Sequence, residues 1–445
     1  MLKLTPYFLK TMVALSAVFI APILSATTLS DIKETRENSV QLIILTSFSE
    51  EVSSTLAAEF ERQNPNLRVR FLHKKTPAAL THLQLKMQPL PDLVMASAVD
   101  AMDWLSRADL LQPYRPKDRL NYTPFGYSGY GYMWDTNYLK QHKLPLPSSW
   151  ESLLEEKYQG HIAMSSPMRS GTTHVIVEII LQELGWREGW AYLQQLAGNL
   201  ATVTARSFGV RQGVLRKRFG LGLVIDSFAF SAQNENSAIG FRYSSPTTFL
   251  PVSIGIVKQT TQAVLAKKFV TYLLSDTGQQ ILLKPNISRY PINNEQLLQH
   301  PKHLLNSYRH QQKHTLDYDH TLAVRRYHLV NALFEYTITY RLPFLQQAWR
   351  KVYRLQQRLA NRNSLLLSDQ LEVLVKDLKT IPFKEIQLGN SLLLSQFSKP
   401  IPGSALSPLQ AQLQHKWRQW DVSLQDKIMR KLQQLEVAIT TMEHP

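Results

Sequence analysis

From residue 40 onward, short apolar runs alternate with segments whose apolar residues recur at spacings of three and four, and this alternation limits the possible folds more than any other feature. Residues 40–45 are apolar except for Gln41 and end at Thr46 and Ser47, while residues 51–62 place Val52, Leu56 and Phe60 on one helical face. The pattern predicts a strand, a loop and a helix. Residues 67–72 read as a second strand, 78–87 as a helix, and 92–95 as a third strand closing at Ala96, Ser97 and Ala98. Strands separated by helices need crossover connections, which predicts a parallel sheet covered on both faces. Ligands of such sheets bind outside the C-terminal ends of the strands, so the loops there carry the candidate residues.

The aromatic, glycine-rich residues 127–133 predict crossing strands, and residues 145–150, PLPSSW, cap a helix containing Leu153 and Leu154. Strands are then expected at 161–164, 201–203, 222–226 and 239–243, with a returning strand at 251–257 and an amphipathic helix at 263–274. The chain therefore visits one α/β lobe, builds a second and comes back. The expected division is 38–125 with 244–300 for the first lobe and 126–243 for the second.

Residues 165–174, SSPMRSGTTH, sit where a strand hands over to a helix, since residues 175–184 are apolar at helical spacing. Ser170, Gly171, Thr172 and Thr173 then lie at a helix N-terminus, where unpaired N–H groups and the helix dipole favour an anion. Two readings stand for this segment, anion binding and ordinary capping by a hydroxyl. Ser47 opens a similar loop before the first helix, and the two N-termini are expected to face each other. Thr76 and Ser97 close other strand-to-helix loops. Arg169 and Arg206 are candidates for a bidentate contact or else solvated charges, and Ser207 is a candidate cap for the helix containing Val210 and Val214.

The N-terminus carries Lys3 and Lys10, an apolar run at 12–24 and small residues around Ala26, which predicts a signal peptide at 1–26 and export to the periplasm. The chain has no cysteine, which excludes a disulfide framework and thiol chemistry. The net charge of +16 would suit nucleic acid, but an exported chain is more consistent with small acidic molecules or an acidic partner. No nucleic-acid partner is expected.

TSFSEE at 46–51, PDLVMAS at 91–97, the SW pair ending at Trp150, YQGHIAMSSPMRSGTTH at 158–174 and AKKFVTYLLSDTGQQILL at 266–283 together resemble the periplasmic solute-binding proteins of ABC-type importers. The resemblance is to the class that includes ferric-iron, hexose-phosphate and aminoethylphosphonate binders. It implies an α/β, two-lobed type II periplasmic binding protein fold, no enzymatic activity, no cofactor and a ligand held between the lobes. Ferric-iron members carry adjacent tyrosines after the strand that is here 222–226, whereas this chain has Asp226, Ser227 and Phe228. Without that pair a hard trivalent ion loses its best donors, and an organic phosphate becomes the expected ligand. Asp226 has two readings, acceptor for a ligand hydroxyl and cap of the following helix.

Within the class, SSPMRSGTTH together with a C-terminal continuation is similar to exported regulators of phosphoglycerate uptake. That similarity implies a phosphoglycerate-like ligand and a membrane sensor kinase as partner. An ABC permease, with the chain importing an organic phosphate, phosphonate or ferric iron, is the alternative. Residues 301–445 are expected to be a helical extension, because 327–359 and 409–435 repeat apolar residues at three and four, with Pro343 as a break and a loop at 400–407. A helical bundle packed on the first lobe and an exposed docking surface rimmed by Arg350, Lys351, Arg354 and Arg358 are its two readings. A rival class, an exported hydrolase using Ser170, His174 and Asp226, lacks the G-x-S-x-G elbow around its serine.

Overall fold

The computed structural model describes residues 40–299, 305, 308–309, 316–360, 364–398 and 406–443. The expected signal segment and most of the loop expected at 400–407 lie outside the described residues. The first elements are β1 (Val40–Thr46), α1 (Glu50–Gln63), β2 (Leu67–His73), α2 (Thr76–Gln84), β3 (Leu93–Ala96), α3 (Val99–Arg107), β4 (Leu111–Gln112), β5 (Thr123–Asp135) and α4 (Thr136–Gln141). There follow β6 (Ile162–Ser165), α5 (Gly171–Asn199), β7 (Leu200–Thr204), α6 (Ser207–Leu215), β8 (Leu221–Ile225), α7 (Asp226–Glu235), β9 (Ile239–Tyr243) and β10 (Phe249–Val257). The remainder is α8 (Ala263–Leu274), α9 (Asp276–Ile281), β11 (Tyr290–Pro291), α10 (Asn294–Leu297), α11 (His320–Phe334), a π-helical turn (Glu335–Thr339), α12 (Leu342–Ala360), α13 (Leu365–Leu378), α14 (Ser391–Ser398) and α15 (Pro408–Glu443).

The strands form one mixed sheet in the order β2-β1-β3-β10-β5-β8-β6-β7, with β9 and β11 also on β5 and β4 on β10. The parallel sheet expected from the alternation holds for β1 with β3 and for β6 with β7 and β8. It fails at the centre, where β10 and β5 run antiparallel to their neighbours. The aromatic, glycine-rich segment is a single long strand. Its first part pairs with β10 and its second with β8 and β9, so β5 belongs to both halves of the sheet.

Each half is covered by helices as its apolar pattern demands. Leu42, Ile44, Phe60, Val252 and Phe269 pack between the first half, α1 and α8. Met133, Val210, Val214 and Val224 pack between the second half, α6 and α7. Helix α5 is interrupted at Gly185, whose φ of 79° is left-handed backbone suited to glycine, and this is where the apolar run ends.

One local expectation is corrected: Trp150 precedes a 3-10 turn, Glu151–Leu154, rather than an α-helix. The break expected at Pro343 falls just before it, at 340–341, and Pro343 lies in the first turn of α12, where its missing N–H has no intrahelical acceptor to lose.

Among the C-terminal helices, α12 packs on α5 in the second half, while α11 packs on α3 of the first half as well as on α5. Trp349 donates from Nε1 to the Gln194 carbonyl at 3.1 Å, Gln346 donates to the Leu200 carbonyl at 2.6 Å, and Tyr353 donates to the Leu154 carbonyl at 3.0 Å. Their apolar residues continue the hydrophobic cluster of the sheet, so α11, α12 and α15 extend an existing core.

Candidate functional site

The loops that follow β1, β2, β3, β6, β7 and β8 converge on one cavity of about 50 Å³. Ser49, Lys75, Ala98, Ser170, Arg206 and Ile225 all line it, and these are the N-cap residues of α1, α2, α3, α5, α6 and α7. Six helices of at least nine residues therefore direct their positive ends at one point. The reason is topological: the strands of each half end at the same edge, and each hands over directly to a helix.

The side chains add charge of the same sign. Lys74, Lys75, Arg169, Arg206 and Arg289 line the cavity, and no carboxylate among the described residues does. Arg289 is buried; it donates from Nη1 to Ser128 Oγ and from Nη2 to Ser97 Oγ, each at 2.9 Å, and stacks over Phe48 at 4.9 Å. Burial lowers its pKa to about 10, still well above neutrality, so it remains a cation. Arg206 lies 5.5 Å from the Phe208 ring centroid.

Among the residues singled out from sequence, the cavity brings together Ser47, Thr76, Ser97, Arg169, Ser170, Gly171, Thr172, Arg206 and Ser207. Ser170 is both wall and cap, since its Oγ accepts from the Thr173 N–H at 3.2 Å. Ser207 is the first residue of α6 and not its cap, a position held by Arg206.

Thr173 and Asp226 do not reach the wall. The Thr173 hydroxyl is bonded to Ser165 Oγ behind it. Asp226 is completely buried and accepts from the Gly129 N–H at 2.6 Å, the Ser227 N–H at 2.7 Å and the Tyr243 hydroxyl at 2.9 Å. Burial raises its pKa to about 6, and those hydrogen bonds and the Arg289 charge offset only part of the rise.

Lys74, Lys75, Phe48 and Arg289 were not singled out from sequence. The lysines immediately precede Thr76 in a strand-to-helix loop, so the same loop rule would have found them. Arg289 carries no such signal, because it follows α9 in a segment without periodicity and reaches the wall only through the fold.

A second cavity of about 320 Å³ shares Phe48, Ser49, Arg206, Phe208 and Arg289 with the first, and adds Glu50, Glu51 and Glu235. A larger one, about 1050 Å³, lies among α5, α12 and α13, where Arg187, Lys376 and Lys379 mix with Glu188, Glu372 and Glu385. Of these three cavities, the small one alone is lined by charges of one sign among the described residues. Ser170, His174 and Asp226 do not form a catalytic triad. His174 faces Asn331 Oδ1 at 2.8 Å through Nδ1, Ser170 is a cap, and Asp226 is bonded to Gly129, Ser227 and Tyr243.

Residues 89–321 match the bacterial extracellular solute-binding protein family, and the chain belongs to that family. Its members bind solutes rather than transform them, so this is a solute-binding protein for a small polar ligand, of the kind that serves ABC-type transport or signalling. Over 413 residues it is 27% identical to the phosphoglycerate transport regulatory protein PgtC of Salmonella typhimurium, an alignment covering 89% of this chain and 98% of that protein. The fold is similar to that of the periplasmic binding protein P5PA, with a TM-score of 0.56 at 18% identity over 64% of this chain and 94% of the other. It is also similar to periplasmic binding protein AfuA from Actinobacillus pleuropneumoniae, solved with fructose-6-phosphate, with a TM-score of 0.57 at 17% identity over 69% and 97% of the two chains. These likenesses are of fold: a mixed sheet with flanking helices is shared with both periplasmic binding proteins. No helix among the described residues is long and apolar enough to cross a membrane.

Proposed function

We propose that this protein captures a small phosphorylated anion of the phosphoglycerate type and reports its presence to a membrane sensor that controls phosphoglycerate uptake. The observation that carries the reading is the charge of the small cavity, whose wall holds five cationic side chains, six helix N-caps and no described carboxylate. A phosphate takes hydrogen bonds from N–H groups, hydroxyls and guanidinium groups together, and this wall supplies all three. The body of the ligand would extend along Phe48, Arg206 and Arg289 into the neighbouring cavity, whose carboxylates suit hydroxyl groups.

The two halves of the sheet are the two lobes of a type II binding protein in this reading, residues 38–125 with 244–300 and residues 126–243, linked through β5. Residues 1–26 are its signal for export to the periplasm. Similarity to a protein named for phosphoglycerate transport regulation supports the ligand class and the signalling role. Import of an organic phosphate or phosphonate through an ABC permease is the second reading, supported by the family. A ferric ion fits this wall poorly, since five cations would repel it.

A thermal-shift panel tests the ligand. 2-Phosphoglycerate, 3-phosphoglycerate or phosphoenolpyruvate should raise the Tm of the mature chain, with about 2.7 kcal/mol gained at a hundredfold excess over Kd. Millimolar concentrations of all three without any shift would remove the reading.

A further inference from the structure

The cation of the wall that lies in SSPMRSGTTH is held from outside the family-matched core. Arg169 donates from Nη2 to Glu335 Oε1 at 3.1 Å, and Ser166, in the same loop, donates from Oγ to Glu335 Oε2 at 2.7 Å. Glu335 belongs to the π-helical turn after α11 and is 8% exposed. The Arg169 Nε is buried and has no hydrogen-bond partner among the described residues. The C-terminal region thus engages the guanidinium through Nη2 while Arg169 lines the cavity wall.

This contact is the last rung of a seam. Along α11 and α5, running antiparallel, Arg326 pairs with Glu178 at 2.7 Å, Asn331 with His174 at 2.8 Å, and Glu335 with Arg169 and Ser166. The Arg326 pair is buried. Burial alone would raise the Glu178 pKa, but the charge and hydrogen bonds of Arg326 more than offset it and leave it lowered, so the rung is ionic. The other side of α11 is fastened to α3, where Tyr318 donates to Asp100 at 2.6 Å and Arg107 donates to Thr321 at 3.2 Å. Helices α3 and α5 both begin at the cavity wall. Beyond Glu335, Tyr336 donates to Gln414 at 2.8 Å and Arg341 pairs with Asp421 at 2.6 Å, which ties the turn to α15.

Resting on the anion-binding reading above, we propose that Glu335 is a positioning residue for the ligand site. It fixes Arg169 at the wall and couples anion binding to the packing of the C-terminal helices. The coupling is reciprocal by necessity: whatever Glu335 contributes to affinity, the ligand contributes to the hold of α11 and its turn on α5. A released Arg169 would lose its orientation to rotamer freedom.

Calorimetric titration of 3-phosphoglycerate into the full chain, as wild type, E335A, E335Q, R169A and the R169A/E335A double variant, tests this. E335A should weaken binding about tenfold, and E335Q, which keeps an oxygen acceptor for Nη2, should recover most of the loss. In the R169A background, E335A should have no further effect, because nothing is left to position. A purely structural role for Glu335 would give equal losses in both backgrounds. That result, or wild-type affinity in E335A, would overturn the proposal and leave the anion reading standing. Hydrogen exchange of residues 326–339 gives a second measurement that does not depend on the folding of E335A. The ligand should change their protection in wild type and not in R169A, and unchanged protection in wild type overturns the coupling. A wild-type protein that binds none of 3-phosphoglycerate, 2-phosphoglycerate, phosphoenolpyruvate and inorganic phosphate would overturn both readings.

Discussion

Gly171 and Ala98 meet at the cavity so closely that a β-carbon on Gly171 would stand 2.4 Å from the Ala98 Cβ and 3.0 Å from Thr76 Oγ1. Gly171 opens α5 in the second half of the sheet, while Ala98 and Thr76 come from the first. The contact limits how near the two sets of N-termini can approach one ligand. Gly171→Ala should force them apart at a cost of about 1–3 kcal/mol, weakening 3-phosphoglycerate binding roughly tenfold or more. Unchanged affinity by titration would show that the wall yields without loss.

Arg206 offers the cleanest test of the wall's charge, because its side chain contacts only the Phe208 ring among the described interactions. Arg206→Ala should leave the Tm of the free protein nearly unchanged while reducing phosphoanion affinity roughly 10- to 100-fold. The affinity of wild type should also fall as salt is raised, and more steeply than that of the variant. Parallel salt slopes would place Arg206 outside the electrostatic site.

Trp349 is completely packed against Gly198, where an added β-carbon would fall 2.5 Å from the indole. Trp349→Ala removes a large buried ring from the junction of α12 and α5 and should cost about 3–5 kcal/mol, read as a shift of the urea midpoint. A shift below about 1 kcal/mol would mean that the C-terminal helices are dispensable to the core.

Two buried groups titrate in opposite senses. Asp226 is raised by burial from an ordinary 3.8 to about 6, so its stabilising contribution is complete below its ordinary value and lost as pH rises through about 6. His328 is lowered by desolvation, with a smaller push from His174, from 6.5 to about 4, so its contribution is complete above 6.5 and lost as pH falls through about 4. Each is worth on the order of 3 kcal/mol. His328→Phe keeps a ring beside Trp104 and Tyr327 and sacrifices no hydrogen bond at Nε2, which has no partner among the described residues. Between pH 6.5 and 4.5 it should gain stability relative to wild type, measured as the difference in urea midpoints. A constant difference across that range would refute the His328 assignment.

The loops were legible because their signals are short. Ser47, Thr76, Ser97, Ser170 and Ser207 each sit where an apolar strand run meets helical spacing, and such junctions end at one edge in a sheet of this kind. Asp226 occupies the same kind of junction, but its carboxylate is buried behind the cavity wall. Its oxygens are taken by Gly129, distant along the chain, and by Tyr243, contacts that only the antiparallel pairing of β5 with β8 and β9 creates. The central antiparallel strands escaped the alternation argument for a related reason: strand direction depends on where the connection passes, not on the composition of the strand.

By itself the sequence determined the alternation of strands and helices, the loops that carry hydroxyls and glycine, and the basic, cysteine-free character of the chain. These follow from side-chain periodicity and local capping, which act over a few residues. The tertiary structure alone decided that Arg289 joins Lys74, Lys75, Arg169 and Arg206 at one wall, and that Glu335 holds Arg169 from a helix distant in sequence. Electrostatic interaction acts across space without regard to sequence position, so which charges meet is settled by the crossings of β5 and by the packing of α11 on α5, not by any pattern along the chain.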